Sequence, residues 1–186
     1  LRLNVFSGKE KTYQSWYGVS EADLAAGKRR MNSAGTEKPG DPYENETDNY
    51  TQTHYQLFFN QQIKPSLHFN TAIFLTTGKG YYEQYKAGRD FAEFGLPYPV
   101  NGNDTTFEAD FVRQLWLDND FYGNTFSLQY NGPKTEATLG GAYTRYTGHH
   151  FGKIIWSSAV NISPRKWYDL IAEKNDFNIF YKQQTR

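Results

Sequence analysis

The sequence predicts an all-β protein: a segment of an antiparallel transmembrane β-barrel, with about six long strands, short periplasmic turns and long extracellular loops. Three observations lead there. Apolar and polar residues alternate strictly on both sides of tight turns. Aromatic residues make up 18% of the chain, yet its mean hydropathy is −0.80. Short and long connections also alternate along the chain, as they do in bacterial outer-membrane barrels.

The first hairpin is predicted around Lys64-Pro65-Ser66. Proline cannot donate to a strand ladder and favours a turn. Tyr55 and Leu57 alternate with polar neighbours before this turn, as do Leu67 and Phe69 after it. Each arm exceeds the roughly 9–11 residues with which a tilted strand crosses a bilayer. The segment therefore predicts two adjacent membrane-spanning strands.

The second hairpin is predicted around Asn131-Gly132-Pro133-Lys134, which is a strong turn signal. Alternating strands flank it, a further strand is predicted near the end of the chain, and another lies at residues 1–6. One face of these strands is predicted to contact lipid. Its residues are Tyr55, Leu57, Phe59, Leu67, Phe69, Ile73, Leu75, Phe126, Leu128, Leu139, Phe177 and Ile179.

The predicted extracellular loops are residues 7–49, 78–106 and 147–176. Loops longer than about 12–15 residues are uncommon in compact domains, so their regular occurrence favours a barrel. Within the first loop, Ser20 followed by two acidic residues and Gly27 predicts a short helix. Residues 163–172 are compatible with a helix or a strand, and we favour the strand.

Composition excludes several classes of protein. The net charge is +0, whereas nucleic-acid-binding proteins normally carry a basic surplus. There are no cysteines, so neither disulfides nor thiolate metal sites are expected. Residues 1–6 lack the pattern of a signal peptide and there is no initiator Met. We expect residues 1–186 to be one part of a larger barrel domain.

The sequence offers few chemical sites. His149 and His150 are adjacent, so on a strand they would point to opposite faces and not share a metal ion. His54 and His68 could approach across the first hairpin, but we expect them to face a wet lumen. The segment 118–120 lacks the Gly and Glu of a calcium loop, and we expect a polar strand or bulge there. No catalytic set, metal site or cofactor site is predicted.

Ligand contacts are predicted instead from aromatic, histidine and arginine residues in the extracellular loops, because aromatic rings near strand ends can anchor at an interface or touch a ligand. These candidates are Trp16, Tyr17, Tyr81, Tyr82, Arg89, His149 and His150.

Four segments, 6–19, 78–86, 116–123 and 148–152, resemble the barrel domain of TonB-dependent outer-membrane receptors of the Bacteroidetes type. The resemblance implies a barrel of roughly 22 strands with a plugged lumen, without the plug domain and TonB box. It implies outer-membrane localisation and uptake of a ferric siderophore, haem, cobalamin or glycan. Implied partners are outer-membrane lipid, TonB (through a missing N-terminal part) and a surface lipoprotein. Nucleic acid is not an expected partner.

Two alternatives remain open. A soluble β-sandwich could bind carbohydrate through its aromatic residues, and an outer-membrane barrel enzyme would need a Ser/His or acidic cluster on its lumen face. The barrel predicts that the apolar strand residues form one exposed band. The sandwich predicts that they pack against a second sheet.

Overall fold

The computed structural model describes residues 1–15 and 17–185. These residues form eight strands, one short α-helix and one 3₁₀ turn. In chain order the elements are β1 (Arg2–Tyr13), α1 (Glu21–Ala25), β2 (Thr47–Lys64), β3 (Leu67–Asp90), the 3₁₀ turn (Phe91–Phe94), β4 (Val100–Asn101), β5 (Asp104–Thr105), β6 (Glu108–Asn131), β7 (Thr135–Ser157) and β8 (Arg165–Thr185). None of these helical segments is long and apolar enough to cross a membrane.

Six of the strands form one antiparallel sheet in the order β1-β2-β3-β6-β7-β8. This confirms the all-β class and the predicted number of long strands. The small β4-β5 ribbon is separate from that sheet. Strands β1 and β8 lie at its two edges, so the sheet of the described residues is open rather than closed into a barrel.

Both predicted tight turns are confirmed, and they lie at the same end of the sheet, which we call the turn end. Strand β2 stops at Lys64 and β3 starts at Leu67, while β6 stops at Asn131 and β7 starts at Thr135. The amide of Asn131 donates to the carbonyl oxygen of Ser66 at 2.8 Å. The longer connections, 14–46, 91–107 and 158–164, leave the opposite end, the loop end.

The predicted loops were too long. Strand β1 continues to Tyr13, β3 to Asp90 and β7 to Ser157, so the third connection is reduced to residues 158–164. Polar segments were read as loops because they lack apolar alternation. The backbone ladder nevertheless continues, since each neighbouring strand supplies hydrogen-bond partners whatever the side chains are. The placement of Tyr81, Tyr82, Arg89, His149 and His150 in loops was therefore wrong, because all five lie in strands.

Other local predictions are confirmed. The Ser20 side chain caps α1 by accepting a hydrogen bond from the amide of Asp23. Residues 165–172 form the start of strand β8 rather than a helix. The polar segment 118–120 is a regular part of β6, without a bulge.

The loop end holds a small hydrophobic core that the sequence analysis did not identify. Phe91, Phe94, Phe111 and Ile154 are the largest fully buried side chains. The ring of Phe111 meets those of Phe91 and Phe94 edge-on, with centroids 5.1 and 4.9 Å away. This packing fixes the connection 91–107 against the ends of strands β6 and β7.

The two faces of the sheet differ in chemistry. Because directly paired residues share a face, the register puts Leu57, Ile73 and Phe177 on one side, with Asn124 and Tyr143 in the same row. We call this the apolar face. Every residue predicted to contact lipid lies on it, as the register shows for Tyr55, Leu57, Phe59, Leu67, Phe69, Ile73, Leu75, Phe126, Leu128, Leu139, Phe177 and Ile179.

The apolar face is largely uncovered. Leu57 is 39% exposed, Ile73 57% and Ile179 60%. No second six-stranded layer exists in the part of the chain that the structure describes. The opposite side, which we call the mixed face, combines polar and aromatic residues such as Gln56 and Phe74.

Candidate functional site

Neighbouring candidate residues are separated by the pleat of their strands. Tyr82 pairs with Asp48 and Leu115 on the mixed face, so Tyr81 projects from the apolar face. In the same way, His150 lies on the mixed face and His149 on the apolar face. The prediction that His149 and His150 point to opposite sides is therefore consistent with the strand geometry.

A groove of about 440 Å³ lies on the mixed face near the loop end. It brings together three predicted candidates, Tyr81, Tyr82 and His150, with residues that the sequence analysis did not select. The lining residues are Glu10, Asp48, Tyr50, Gly80, Tyr81, Tyr82, Leu115, Trp116, Leu117, His150 and Tyr168.

Gly80 makes the depression possible. A Cβ atom at this position would lie 2.0 Å from the carbonyl oxygen of Asn49 and 2.7 Å from the Cα of Tyr50. Both are backbone atoms of the neighbouring strand, so no side chain can be accommodated without a shift of the ladder. Between Tyr50 and Leu117 the floor of the groove therefore has no side chain of its own, and the edge of the Tyr50 ring lies 2.7 Å from the position of that Cβ.

Tyr50 is held in place on one wall of the groove. Its ring lies over the glycines at positions 78 and 80, since a Cβ on Gly78 would meet the Tyr50 hydroxyl oxygen at 1.8 Å. That hydroxyl donates to Oδ1 of Asn119 at 2.7 Å. An aromatic ring packed over strand glycines covers exposed backbone and fixes its own orientation. One ring face thus meets the sheet, and the other is turned outward.

Tyr168 forms the opposite wall by the same device. A Cβ on Gly152 would lie 2.4 Å from the ring of Tyr168 and 2.3 Å from that of Trp167. The ring of Trp167 also meets Phe94 of the loop-end core edge-on at 5.4 Å. The wall is therefore braced by the hydrophobic core. Burial raises the pKa of Tyr168, which keeps its hydroxyl neutral at ordinary pH.

Two carboxylates stand at the side of the groove nearest the sheet edge. Glu10 pairs with Tyr50 across the ladder, and Asp48 pairs with Tyr82. Burial, with a smaller contribution from the charge of Glu10, raises the pKa of Asp48. Within residues 1–15 and 17–185, neither carboxylate forms an ion pair. The groove is thus acidic on one side.

The candidates on the apolar face belong to a separate aromatic row at the loop end. Tyr81 packs against Trp116 with centroids 4.5 Å apart and ring planes tilted by 36°, and Trp116 lies parallel to Phe151 at 5.6 Å. The ammonium of Lys153 is 4.6 Å from the centre of the Trp116 ring. His149 hydrogen-bonds to Asp169. Tyr81 and His149 are therefore engaged in packing across strands, and the ring of Tyr81 lies on the face opposite the groove that this residue helps to line.

The remaining candidates do not reach the groove. Arg89 donates from Nε and Nη2 to the two carboxylate oxygens of Glu93, both at 2.8 Å. Tyr17 lies in the connection 14–46 and lines a different cleft with Glu46 and Lys86. Trp16 lies outside the described residues.

The predicted approach of His54 and His68 was wrong. His54 pairs with Thr76, eight residues beyond His68 along β3. Its ring stacks on Phe6 at 4.6 Å and bonds the Thr76 hydroxyl at 3.0 Å. The predicted hairpin was right, but its register keeps the two histidines far apart. Across the described ranges, no group of three or more His, Cys, Asp or Glu residues is placed to hold a metal ion.

Sequence reasoning found Tyr82 and His150 but not their partners. Tyr50, Asp48 and Glu10 join them only through the register of β1, β2 and β3, which a single sequence does not reveal. The segment Gly78-Lys79-Gly80 was the available signal, since glycines in a strand often mark the close approach of another group. Comparisons with protein-family models, curated proteins and solved structures found no match to this chain.

Proposed function

We propose that this chain forms part of the wall of an outer-membrane β-barrel, in a receptor of the TonB-dependent type that takes up a scarce nutrient. The observation that carries the proposal is the sidedness of the sheet. Its apolar residues line up on one exposed face across six strands, while the other face is polar and aromatic. Transmembrane barrels have this alternation, with lipid outside and a polar lumen inside.

The dimensions of the apolar face support this proposal. On β3 the apolar residues run from Leu67 to Leu75, a strand length of roughly 27 Å at about 3.4 Å per residue. Tilted by about 40°, this length spans roughly 21 Å, close to the ~25 Å apolar band of outer-membrane barrels. Tyr122 pairs with Leu75 at one limit of the band and Tyr130 with Leu67 at the other. Aromatic residues at both limits are expected at the two membrane interfaces.

The soluble β-sandwich is less well supported. In a sandwich, the apolar face of each sheet is buried by a second sheet about 10 Å away. The described residues include no such layer, and the β4-β5 ribbon has only two short strands. Exposed apolar patches of this extent mark a surface that another phase or partner covers. In the proposed barrel, lipid covers the apolar band of this face.

The open edges of the sheet, β1 and β8, require further strands in the proposed barrel. Backbone groups without partners are costly in hydrocarbon, so membrane sheets close into barrels. The proposed wall therefore continues through further strands beside β1 and β8. In this proposal, TonB binds a part of the receptor outside this sheet, and a surface lipoprotein binds at the loop end. Ferric siderophores, haem, cobalamin and glycans are the proposed classes of nutrient, and the proposed role is binding and transport rather than catalysis.

The test uses the absence of cysteine. Single-cysteine variants along β3 and β6, alternately on the apolar face (Ile73, Leu128) and on the mixed face (Ala72, Thr125), are labelled with a polarity-sensitive fluorophore. After reconstitution into phospholipid vesicles, labels on the apolar face should emit at shorter wavelength and be quenched by spin-labelled lipid. Labels on the mixed face should respond weakly.

Equal responses on both faces would contradict a membrane wall. Expression without detergent gives a second, independent result. Aggregation is expected because the apolar face has no cover, and a monodisperse soluble monomer would contradict the proposal. An enzyme of the barrel type is a weaker candidate, since the contact between the Thr76 hydroxyl and the His54 ring on the mixed face lies outside the groove, with the His54 ring stacked on Phe6.

A further inference from the structure

The groove on the mixed face has an uneven charge. Its walls are tyrosine rings, its floor is Gly80 with Leu115 and Leu117, and its acidic side carries Glu10 and Asp48. No Lys or Arg occurs among the described residues that line it. The charge of Arg113, which donates to Gln84, acts on Tyr82 and Tyr168 from outside the lining, so the negative end of the groove is the one at Glu10 and Asp48. A volume of about 440 Å³ falls within the range of small-molecule sites, about 300–1,000 Å³.

Each carboxylate stands beside a tyrosine ring. Glu10 is directly opposite Tyr50 in the β1-β2 ladder, and Asp48 is directly opposite Tyr82 in the β2-β3 ladder. Directly opposite residues have Cβ atoms about 4.5–5.5 Å apart. A ligand lying against these two rings would therefore meet negative charge and aromatic surface at the same time.

The electrostatics of this arrangement favour a positive ligand. Two neighbouring carboxylates without ion-pair partners repel each other, and the raised pKa of Asp48 reflects its burial and that repulsion. A cation between them would remove the repulsion, whereas an anion would add to it. The outward ring face of Tyr50 adds a favourable site for a cation, because the π face of an aromatic ring is negative.

We infer that the groove binds an organic cation, an ammonium or amidinium centre on an apolar body, between the carboxylates of Glu10 and Asp48 and against the rings of Tyr50 and Tyr82. The apolar body would rest on Leu115 and Leu117. This inference rests on the proposed function for the position of the groove inside a barrel, and it deepens that function by naming a class of substrate.

The test compares two probes of equal shape in maltoside micelles, which carry no quaternary ammonium group. Choline is a cation, and 3,3-dimethyl-1-butanol is its neutral counterpart, with carbon in place of nitrogen. Binding to the full chain is followed by NMR line broadening of the probe. Choline should bind at least tenfold more tightly than the alcohol.

Matched variants locate the effect. Asp48→Asn should weaken choline binding by roughly fivefold to tenfold, the usual worth of a partly desolvated charge contact. Asp120→Asn makes the same change of net charge on the apolar face, where Asp120 pairs with Thr77 and Thr147. It should leave choline binding unchanged. Circular dichroism confirms that both variants keep their strand content.

The outcomes separate this inference from the proposed function. Equal binding of the two probes, equal losses in both variants, or a preference for glucose over choline would overturn the cation site. If the cation site is overturned while labels on the apolar face still respond to lipid, the proposed membrane wall is retained without a cation site. If the labels fail but choline binding depends on Asp48, the cation site stands and its place inside a barrel is overturned.

Discussion

The exposure of the apolar face predicts how much a single arginine substitution on it lowers the stability of the folded state in a membrane. Ile73 is 57% exposed on this face, in one row with Leu57 and Phe177, between the middle of the apolar band and its Tyr122 limit. Fully burying an isoleucine side chain is worth about 1.5–3 kcal/mol, so lipid covering the exposed part contributes about 1–2 kcal/mol. Ile73→Arg loses that contribution and adds about 1–3 kcal/mol, because the cost of a cation falls from about 2–4 kcal/mol at the bilayer midplane to about 0–1 kcal/mol near the interfaces. The total cost is about 2–5 kcal/mol.

The matched control is Thr125→Arg. Thr125 pairs with Ala72, the neighbour of Ile73, and is exposed on the mixed face. In the proposed barrel an arginine there faces the water-filled lumen, so we expect a cost below about 1 kcal/mol, typical of an exposed substitution. The same residue type is thus placed on two sides of one sheet, one position apart in the strand register.

The assay is refolding into phospholipid vesicles across a urea series, followed by tryptophan emission and by protection from added protease. Ile73→Arg should lower the folded-to-unfolded ratio by about one to four orders of magnitude, because each 1.4 kcal/mol is a factor of ten. Thr125→Arg should follow the unsubstituted chain. Equal costs for the two variants would refute the assignment of the faces, and a larger cost for Thr125→Arg would reverse it.

Two further predictions concern the loop end. Gly80→Ala should destabilise the chain by about 1–3 kcal/mol in urea unfolding, because the new Cβ would lie 2.0 Å from the backbone of Asn49. The control Gly8→Ala should be near neutral, because nothing lies within 4 Å of its Cβ position. Equal effects of the two substitutions would contradict the groove geometry. Burial and the Asp110 hydrogen bond raise the pKa of Tyr85 to about 12, against about 10 in an unfolded chain. Neutral Tyr85 therefore stabilises the folded chain fully below about pH 10, and this contribution is lost as the pH approaches 12. Tyr85→Phe should reduce the fall of the urea unfolding midpoint at alkaline pH. An unchanged dependence of the midpoint on pH would contradict the raised pKa of Tyr85.

The strands and their sidedness were predictable because their signals are local. The alternation around Leu57 and Ile73 reports which side of a strand is apolar, and Pro65 reports where the chain turns. Both features depend on residues a few positions apart. The helix at Ser20 was predictable for the same reason, since a cap and its first turn are contiguous in sequence.

The lengths of the strands were not predictable in this way. Beyond Leu75 the sequence of β3 becomes polar and glycine-rich, which resembles a loop. The segment is extended because β2 and β6 lie on either side and satisfy its backbone groups as far as Tyr82 and Lys86. Such support is a property of the whole sheet and leaves no periodic signal in one strand.

The groove was missed for a related reason. Glu10, Asp48 and Tyr82 are distant in sequence and meet only once the registers of two ladders are fixed. Shifting either register by one residue would turn the shifted side chains to the opposite face. The sequence analysis could therefore select Tyr82 as an aromatic candidate but had no basis for placing an acidic pair beside it.

The edge strands provide an argument about how the sheet is completed. Soluble proteins protect an exposed edge with short strands, prolines or bulges. Strand β8 has a register shift and several charged residues in its first half, which are such protection. Residues 177–185 contain no proline and one charged residue, Lys182, and they include Phe177 at 68% and Phe180 at 52% exposure, one on each face. Strand β1 likewise presents Leu3 at 66% exposure in the apolar row. These apolar stretches of the two edges have the same sidedness as the middle of the sheet, and they support the proposal that further strands continue it on both sides.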